Sequence, residues 1–121
     1  MLWETKVSGG RQFASPLLVD GYLYLVNASS VMDVLEAPTG KIAYTRRLGL
    51  GGATYSSPAM VGNVVIVGSD TGKSVVLKPG PTYEEVGRCT LDPSRATPFC
   101  AGGRMYVRTC SKESKLYCIG E

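Results

Sequence analysis

Histidine is absent from the 121 residues of this chain, and that absence closes more chemistry than any motif opens. Without an imidazole there is no ordinary general base near neutral pH, no Ser-His-Asp or Cys-His arrangement, and little zinc chemistry. The four cysteines, Cys89, Cys100, Cys110 and Cys118, stand 11, 10 and 8 positions apart with no C-x-x-C or adjacent pair, which argues against a zinc ribbon or a thioredoxin-like site. They read as free buried thiols acting as small hydrophobes on strands, as Tyr117-Cys118-Ile119 suggests. One or two disulfides in an oxidising compartment are the alternative, and spacing chooses no pairing. Asp20, Asp33, Asp70 and Asp92 are single acids beside turns or on strands, and read as solvated side chains rather than calcium ligands. Gly49 to Gly52 lacks the Lys-Ser/Thr and the helix of a phosphate loop, so it reads as a connection between strands.

The elements that hold these residues are short. Fifteen Gly and seven Pro punctuate runs rich in Val, Leu, Ile and Tyr, with no apolar stripe of helical period, and this predicts an all-β chain. A 44% hydrophobic share fills a core, and 13 Lys+Arg against 10 Asp+Glu leave a charge of only +3, spread without a basic block. Nucleic acid is therefore not an expected partner. Apolar runs such as Val64 to Val67 are too short to span a bilayer as a helix, and no basic-then-apolar leader opens the sequence, so the expectation is a soluble chain whose export signal, if it is exported, lies outside these residues.

The runs repeat. Ala14-Ser15-Pro16-Leu17, Ser56-Ser57-Pro58-Ala59 and Ala96-Thr97-Pro98-Phe99 begin three similar units, their prolines 42 and 40 residues apart. Five positions after each proline comes Gly21, Asn63 or Gly103, types that tolerate positive φ in a hairpin, and a strand follows. A third strand is expected at Val31 to Leu35, Ser74 to Leu77 and Lys115 to Ile119. A fourth leads through Tyr44 in the first unit and Val86 in the second, and a strand of this last kind also stands at Leu2 to Val7, with Trp3 in the position of Tyr44 and Val86. A period near 41 with four short strands per unit is the sequence form of a β-propeller, one blade per repeat. The expected organisation is one propeller segment over 1–121: a lone fourth strand at 1–8, then repeats at 9–50, 51–92 and 93–121. About twelve strands follow, with the prolines at the start of the innermost ones, where small residues let blades converge.

The stretch Glu36-Ala37-Pro38-Thr39-Gly40-Lys41-Ile42-Ala43-Tyr44 resembles the repeat of PQQ-like, quinoprotein-type propellers, Ala-x-Asp-x-x-Thr-Gly-x-x-x-Trp. Thr39 and Gly40 match, Glu36 stands for the Asp and Tyr44 for the Trp; Gly21-Tyr22-Leu23-Tyr24 and the Leu116 to Glu121 ending are also similar to the family. The resemblance implies that Trp3, Thr39, Gly40 and Tyr44 dock one blade on the next. It implies no cofactor and no metal here, because the adjacent Cys-Cys pair and the cofactor-stacking Trp of the true dehydrogenases have no counterpart. The second unit has lost most of the motif, with Lys78, Pro81-Thr82 and Val86 at the matching positions.

Three blades span part of a ring, since a closed propeller needs at least about four. Either further blades of a longer parent protein complete it, or a homodimer closes a six-bladed ring. Function belongs at a channel mouth, where Arg11, Phe13, Tyr55 and Arg95 precede the repeat prolines; aromatic and guanidinium groups there could bind a sugar, a peptide or an anion. The expected role is a non-catalytic binding or scaffold module, by resemblance bacterial and periplasmic or extracellular. The alternative is a fragment of a PQQ-dependent dehydrogenase whose catalytic blades lie elsewhere.

Overall fold

In the computed structural model, residues 2–90, 99–101, 104–108 and 115–120 are described. The first sheet is built from β1 (Leu17–Val19), β2 (Tyr22–Val26), β3 (Val31–Glu36) and β4 (Ile42–Arg47), each antiparallel to the next. The second repeats it with β5 (Ala59–Val61), β6 (Val64–Gly68), β7 (Lys73–Leu77) and β8 (Glu85–Thr90). The third has three strands, β9 (Phe99–Ala101), β10 (Arg104–Arg108) and β11 (Leu116–Gly120). These meanders are propeller blades, and no helix occurs among the described residues. The first strands run innermost, β1 approaching β5 and β5 approaching β9. Pro16 and Pro58 directly precede β1 and β5, where no ladder N–H is required of them; Pro98 lies outside the described residues.

Alternation along the strands gives each blade two apolar faces. Tyr24, Val26, Met32 and Val34 of blade 1 pack with Val65, Val67, Val75 and Leu77 of blade 2, and Leu48 and Leu50 of the connection close the same cluster. The opposite face of blade 2, with Ile66, Val61 and Val76, meets Met105 and Val107 of blade 3.

The structure corrects several expectations. Leu2 to Val7 belongs to none of the three sheets, because no strand among the described residues lies beside it to complete a ladder; it does keep a strand-like alternation, with Trp3, Thr5 and Val7 turned inward and Leu2, Glu4 and Lys6 exposed. In the first hairpin both Asp20 and Gly21 have positive φ, as a type I′ turn requires, whereas in the second only Gly62 does, so the turn relies on that glycine and not on Asn63. The position of Tyr44 in blade 2 is held by Gly87 and not by Val86: Val34 pairs with Tyr44 and Val76 with Gly87. Both outer strands carry a register shift there, and one more residue lies between the paired Leu77 and Glu85 than between the paired Leu35 and Ile42, which moves the sequence alignment by one. Cys89 and Cys118 are exposed free thiols and not core hydrophobes, since both lie on outer strands whose sides are only partly covered. Cys110 and the side chain of Cys100 lie outside the described residues.

Candidate functional site

At one end of blades 1 and 2 the loops that enter the repeats lie against the loops between second and third strands, and the repeat is visible in the hydrogen bonds. Asn27 N–H donates to Val31 O at 3.0 Å, and 42 residues later Ser69 N–H donates to Lys73 O at 2.9 Å. Ala28 N–H donates to Arg11 O and Asp70 N–H to Ala53 O, both at 2.8 Å, so each entering loop is tied to the inter-strand loop of its own blade. The second entering loop also bridges back: Thr54 N–H donates to Ala28 O at 3.0 Å, and the buried Ser30 and Thr54 hydroxyls share a 2.7 Å hydrogen bond.

On this braced end the structure brings Phe13 and Tyr55 together. Their ring centroids are 4.8 Å apart at an interplanar angle of 43°, with Phe13 51% exposed and Tyr55 half-buried behind it. Equivalent positions three residues before Pro16 and Pro58 thus form a small aromatic ledge, and the Ser15 N–H donated to Ser57 Oγ at 2.8 Å joins the two strand starts beneath it. The Arg11 side chain is exposed while its backbone is held by Ala28. Arg95, the third residue of the series, lies outside the described residues. Such a ledge offers π faces and apolar edges for stacking, with one guanidinium on the same loop.

The acids do something else. Asp33 is buried, at 3% exposure, which corrects its reading as a solvated side chain. Its carboxylate accepts from Ser8 N–H at 2.7 Å, Ser8 Oγ at 2.9 Å and Thr45 Oγ1 at 2.7 Å, and so fastens the N-terminal segment to β3 and β4. An acid inside the apolar run Val31-Met32-Asp33-Val34-Leu35 is the sequence signal for this, since an unpaired carboxylate is not kept there. Asp70 accepts from Ala53 N–H at 2.9 Å and braces its loop. Among the described residues no three His, Cys, Asp or Glu side chains converge as metal ligands. Asp33 and Asp70 are thus held as clasps among the described residues.

Of the residues expected to dock blades, Trp3 and Gly40 meet and Tyr44 reaches the next blade, whereas Thr39 makes a local turn. Trp3 Nε1 donates to Ala37 O at 2.9 Å, and Thr5 Oγ1 donates to Gly40 O. Gly40 has φ +76°, and a Cβ on it would lie 2.3 Å from Trp3 Cε3, so the indole rests on the bare glycine. Thr39 is exposed and closes the turn by accepting from Lys41 N–H at 3.2 Å. Tyr44 meets Tyr83 of the next blade edge-on, with centroids 6.1 Å apart and an interplanar angle of 79°. Its hydroxyl is buried without a hydrogen-bond partner, and burial, followed by the nearby Tyr24 and Tyr83, pushes its phenol pKa far above the ordinary value.

Residues beyond the expected docking positions also build this interface. Buried Tyr24 accepts Gly80 N–H at 2.9 Å across the blades. The Arg46 guanidinium carbon lies 4.3 Å from the Tyr83 ring centroid, and Tyr83 donates to Glu85 at 2.6 Å. Arg88 holds Glu85 through two bonds, at 3.1 and 3.0 Å, and reaches Leu48 O of the preceding connection at 2.7 Å. The Arg88 hydrogen bonds, and then that of Tyr83, hold the Glu85 carboxyl below its usual range.

No protein-family model matches the chain, and no curated protein does. Solved structures do match. The chain is similar to BamB from Moraxella catarrhalis at 14% identity and a TM-score of 0.68, over 89% of this chain and 33% of that one. It is also similar to the quinohemoprotein alcohol dehydrogenase ADHIIG from Pseudomonas putida HK5, at 16% identity and a TM-score of 0.75, over 98% of this chain and 20% of that one. The chain thus spans about a third and a fifth of these two proteins. Its fold is that of PQQ-type β-propeller blades, in agreement with the resemblance carried by Thr39, Gly40 and the docking aromatics.

Proposed function

We propose that this chain is a non-catalytic binding or scaffold module built from PQQ-type propeller blades, and that it works from the braced loop end. The observation that carries the reading is the use of its acids: Asp33 and Asp70 are spent as internal clasps, while the accessible chemistry is the Phe13–Tyr55 ledge. An apolar or aromatic peptide side chain, or a sugar face, stacks on such a surface at low entropic cost, because both rings are already held. The blades are completed either by a second copy or by further blades of a longer parent, in keeping with the share of its structural neighbours that the chain spans. A periplasmic or extracellular setting in a bacterium belongs to the same reading.

The likeness to a quinohemoprotein alcohol dehydrogenase favours a second reading, a piece of such an enzyme whose reactive blades lie elsewhere. The two separate by experiment. The chain is incubated with PQQ and Ca²⁺, then followed by the absorbance of the quinone and by turnover of a primary alcohol with an artificial electron acceptor. The module reading expects neither retained quinone nor turnover, and turnover by this chain overturns it. A displayed peptide library provides the positive arm: binders are expected to lose at least about tenfold in affinity against Phe13→Ala, the order of one aromatic contact.

A further inference from the structure

The 42-residue equivalence between blades 1 and 2 shows what each blade face is built to meet. Met60, Val65, Val67, Val75 and Leu77 form the face of blade 2 that blade 1 covers. The residues 42 positions earlier, Leu18, Leu23, Leu25, Asp33 and Leu35, form the matching face of blade 1. Residues 2–11 cover the outer part of it, through Trp3 on Gly40 and Ser8 on Asp33, but Leu18 stays 61% exposed. At the far end of the arc, Met105 and Val107 point at blade 2, so alternation turns Arg104, Tyr106 and Arg108 the other way, with Leu116 and Cys118 paired beside them. Leu116 there is 71% exposed.

These two ends complement each other in three respects. Each presents an exposed leucine. Each has an open edge: residues 2–7 alternate like a strand but join no sheet, while β11 carries no described strand on its outer side. Their charges are opposite at matching heights, because Asp33 stands where blade 2 has Val75 and Arg108 stands where blade 1 has Val26, and those two valines share one cluster in the blade 1–blade 2 interface. The Asp33 carboxylate accepts three hydrogen bonds of the roughly four sites that such a group offers, which leaves one for a guanidinium. Blade 2 stands between the two ends of one chain, so they cannot meet within it.

We infer that a second copy of this chain covers the open face of blade 1, its β9–β11 sheet taking residues 2–7 as a fourth strand and setting Arg108 toward Asp33. This rests on the propeller-module reading and names the partner that completes it. Repeated by two-fold symmetry, the exchange pairs both open edges, buries Leu18 and Leu116, and closes six blades into a ring. The ladder of blade 1 fixes the register. Tyr44 lies beside Val34 and Arg47 beside Val31, so Trp3, which is 41 positions before Tyr44, falls beside Cys118 of the second copy, and Lys6 falls beside Lys115.

The chain, its Arg108→Glu variant and a Lys6→Cys/Lys115→Cys variant are compared by sedimentation velocity over a range of concentrations. The parent is expected to sediment as a dimer, and Arg108→Glu, a change at an exposed residue, to raise the dissociation constant by at least about tenfold. With the exposed Cys89 and Cys118 replaced by Ser throughout, diamide, which takes up the two electrons and two protons of the thiol pair, is expected to yield in the Lys6→Cys/Lys115→Cys variant a covalent dimer that neither substitution alone yields. A parent that sediments as a monomer at all concentrations overturns the inference, as does a dimer that fails to cross-link between positions 6 and 115. Either failure leaves the module reading standing if the chain neither retains PQQ nor turns over alcohol, and turnover by a cross-linked dimer would remove the module reading while keeping the interface.

Discussion

Placing a methyl group on Gly40 tests the docking of Trp3 more sharply than removing the indole does. At φ +76° an Ala pays the left-handed penalty of about 1–2 kcal/mol, and its Cβ, 2.3 Å from Trp3 Cε3, cannot coexist with the docked ring. The indole must leave, and with it the Trp3 Nε1 bond to Ala37 O. Trp3→Ala removes the same ring and bond; for a half-buried Trp about 2–3 kcal/mol is expected, below the range for a fully buried one. Gly40→Ala therefore combines the backbone penalty with the lost docking, at about 3–5 kcal/mol. In a Trp3→Ala background the backbone penalty and the displacement of Thr5 Oγ1, 2.7 Å from the new Cβ, remain to be added, both already present in Gly40→Ala, so the double variant is no less stable than Gly40→Ala alone, and the coupling is about 2–3 kcal/mol. Urea unfolding of the four proteins at one fixed chain concentration measures it, since any self-association would otherwise enter the comparison. Additive effects would refute the argument: they would mean that the ring does not rest on Gly40, and that the Thr-Gly turn is a loop feature without a docking role.

The buried Tyr44 hydroxyl supplies a second test. Tyr44→Ala should cost roughly 3–5 kcal/mol as a lost docking aromatic, whereas Tyr44→Phe should be neutral or stabilising, because it removes a polar atom that has no partner. Since the folded Tyr44 pKa lies above the unfolded one, the folded state keeps its proton longer; stability is full below the ordinary tyrosine value near pH 10 and falls above it, and the Phe variant should show a shallower alkaline loss in urea midpoint. Asp33→Ala should cost about 3 kcal/mol by orphaning Ser8 and Thr45, and hydrogen exchange should show the Ser8 amide opening far ahead of β3 amides; protection equal to the parent's would dismiss the clasp.

The repeat was legible because it is enforced by geometry that needs particular residue types. Prolines at the starts of β1 and β5 recur in phase, a two-residue hairpin follows each of these strands, and the strands fall where the apolar runs stand. Misjudged features share a different cause: they depend on partners far along the chain. Asp33 looks like a surface acid until Ser8, 25 residues away, is laid against it. Val86 looks like the heir of Tyr44 until the longer loop before β8 shifts the register and presents Gly87. Cys118 sits in an apolar string yet lies exposed, because period-2 alternation sends Tyr117 to blade 2 and its neighbour outward. The aromatic ledge was half legible: the positions of Phe13 and Tyr55 could be read from the prolines, but their contact follows only from stacking one blade on another.

Among the described residues the two interfaces of blade 2 are not built alike. Toward blade 1 the cluster combines eleven buried residues with Tyr44 against Tyr83 and a polar rim in which Arg88 reaches back to Leu48 O. Toward blade 3 the described cluster has three buried residues, and the position that would carry a docking aromatic holds Gly87. Burying an aromatic of this size contributes on the order of 3 kcal/mol, so its replacement by glycine leaves the second interface the weaker on this count alone. Among the described residues, docking aromatics thus stand at Trp3 over the Thr39-Gly40 turn and at Tyr44, and blade 2 has none at the matching position. A partner that binds the ends of the arc adds contacts where these docking residues do not reach: it covers Leu116 and pairs β11 at one end, and by covering Leu18 it completes a face that the N-terminal segment covers only in part.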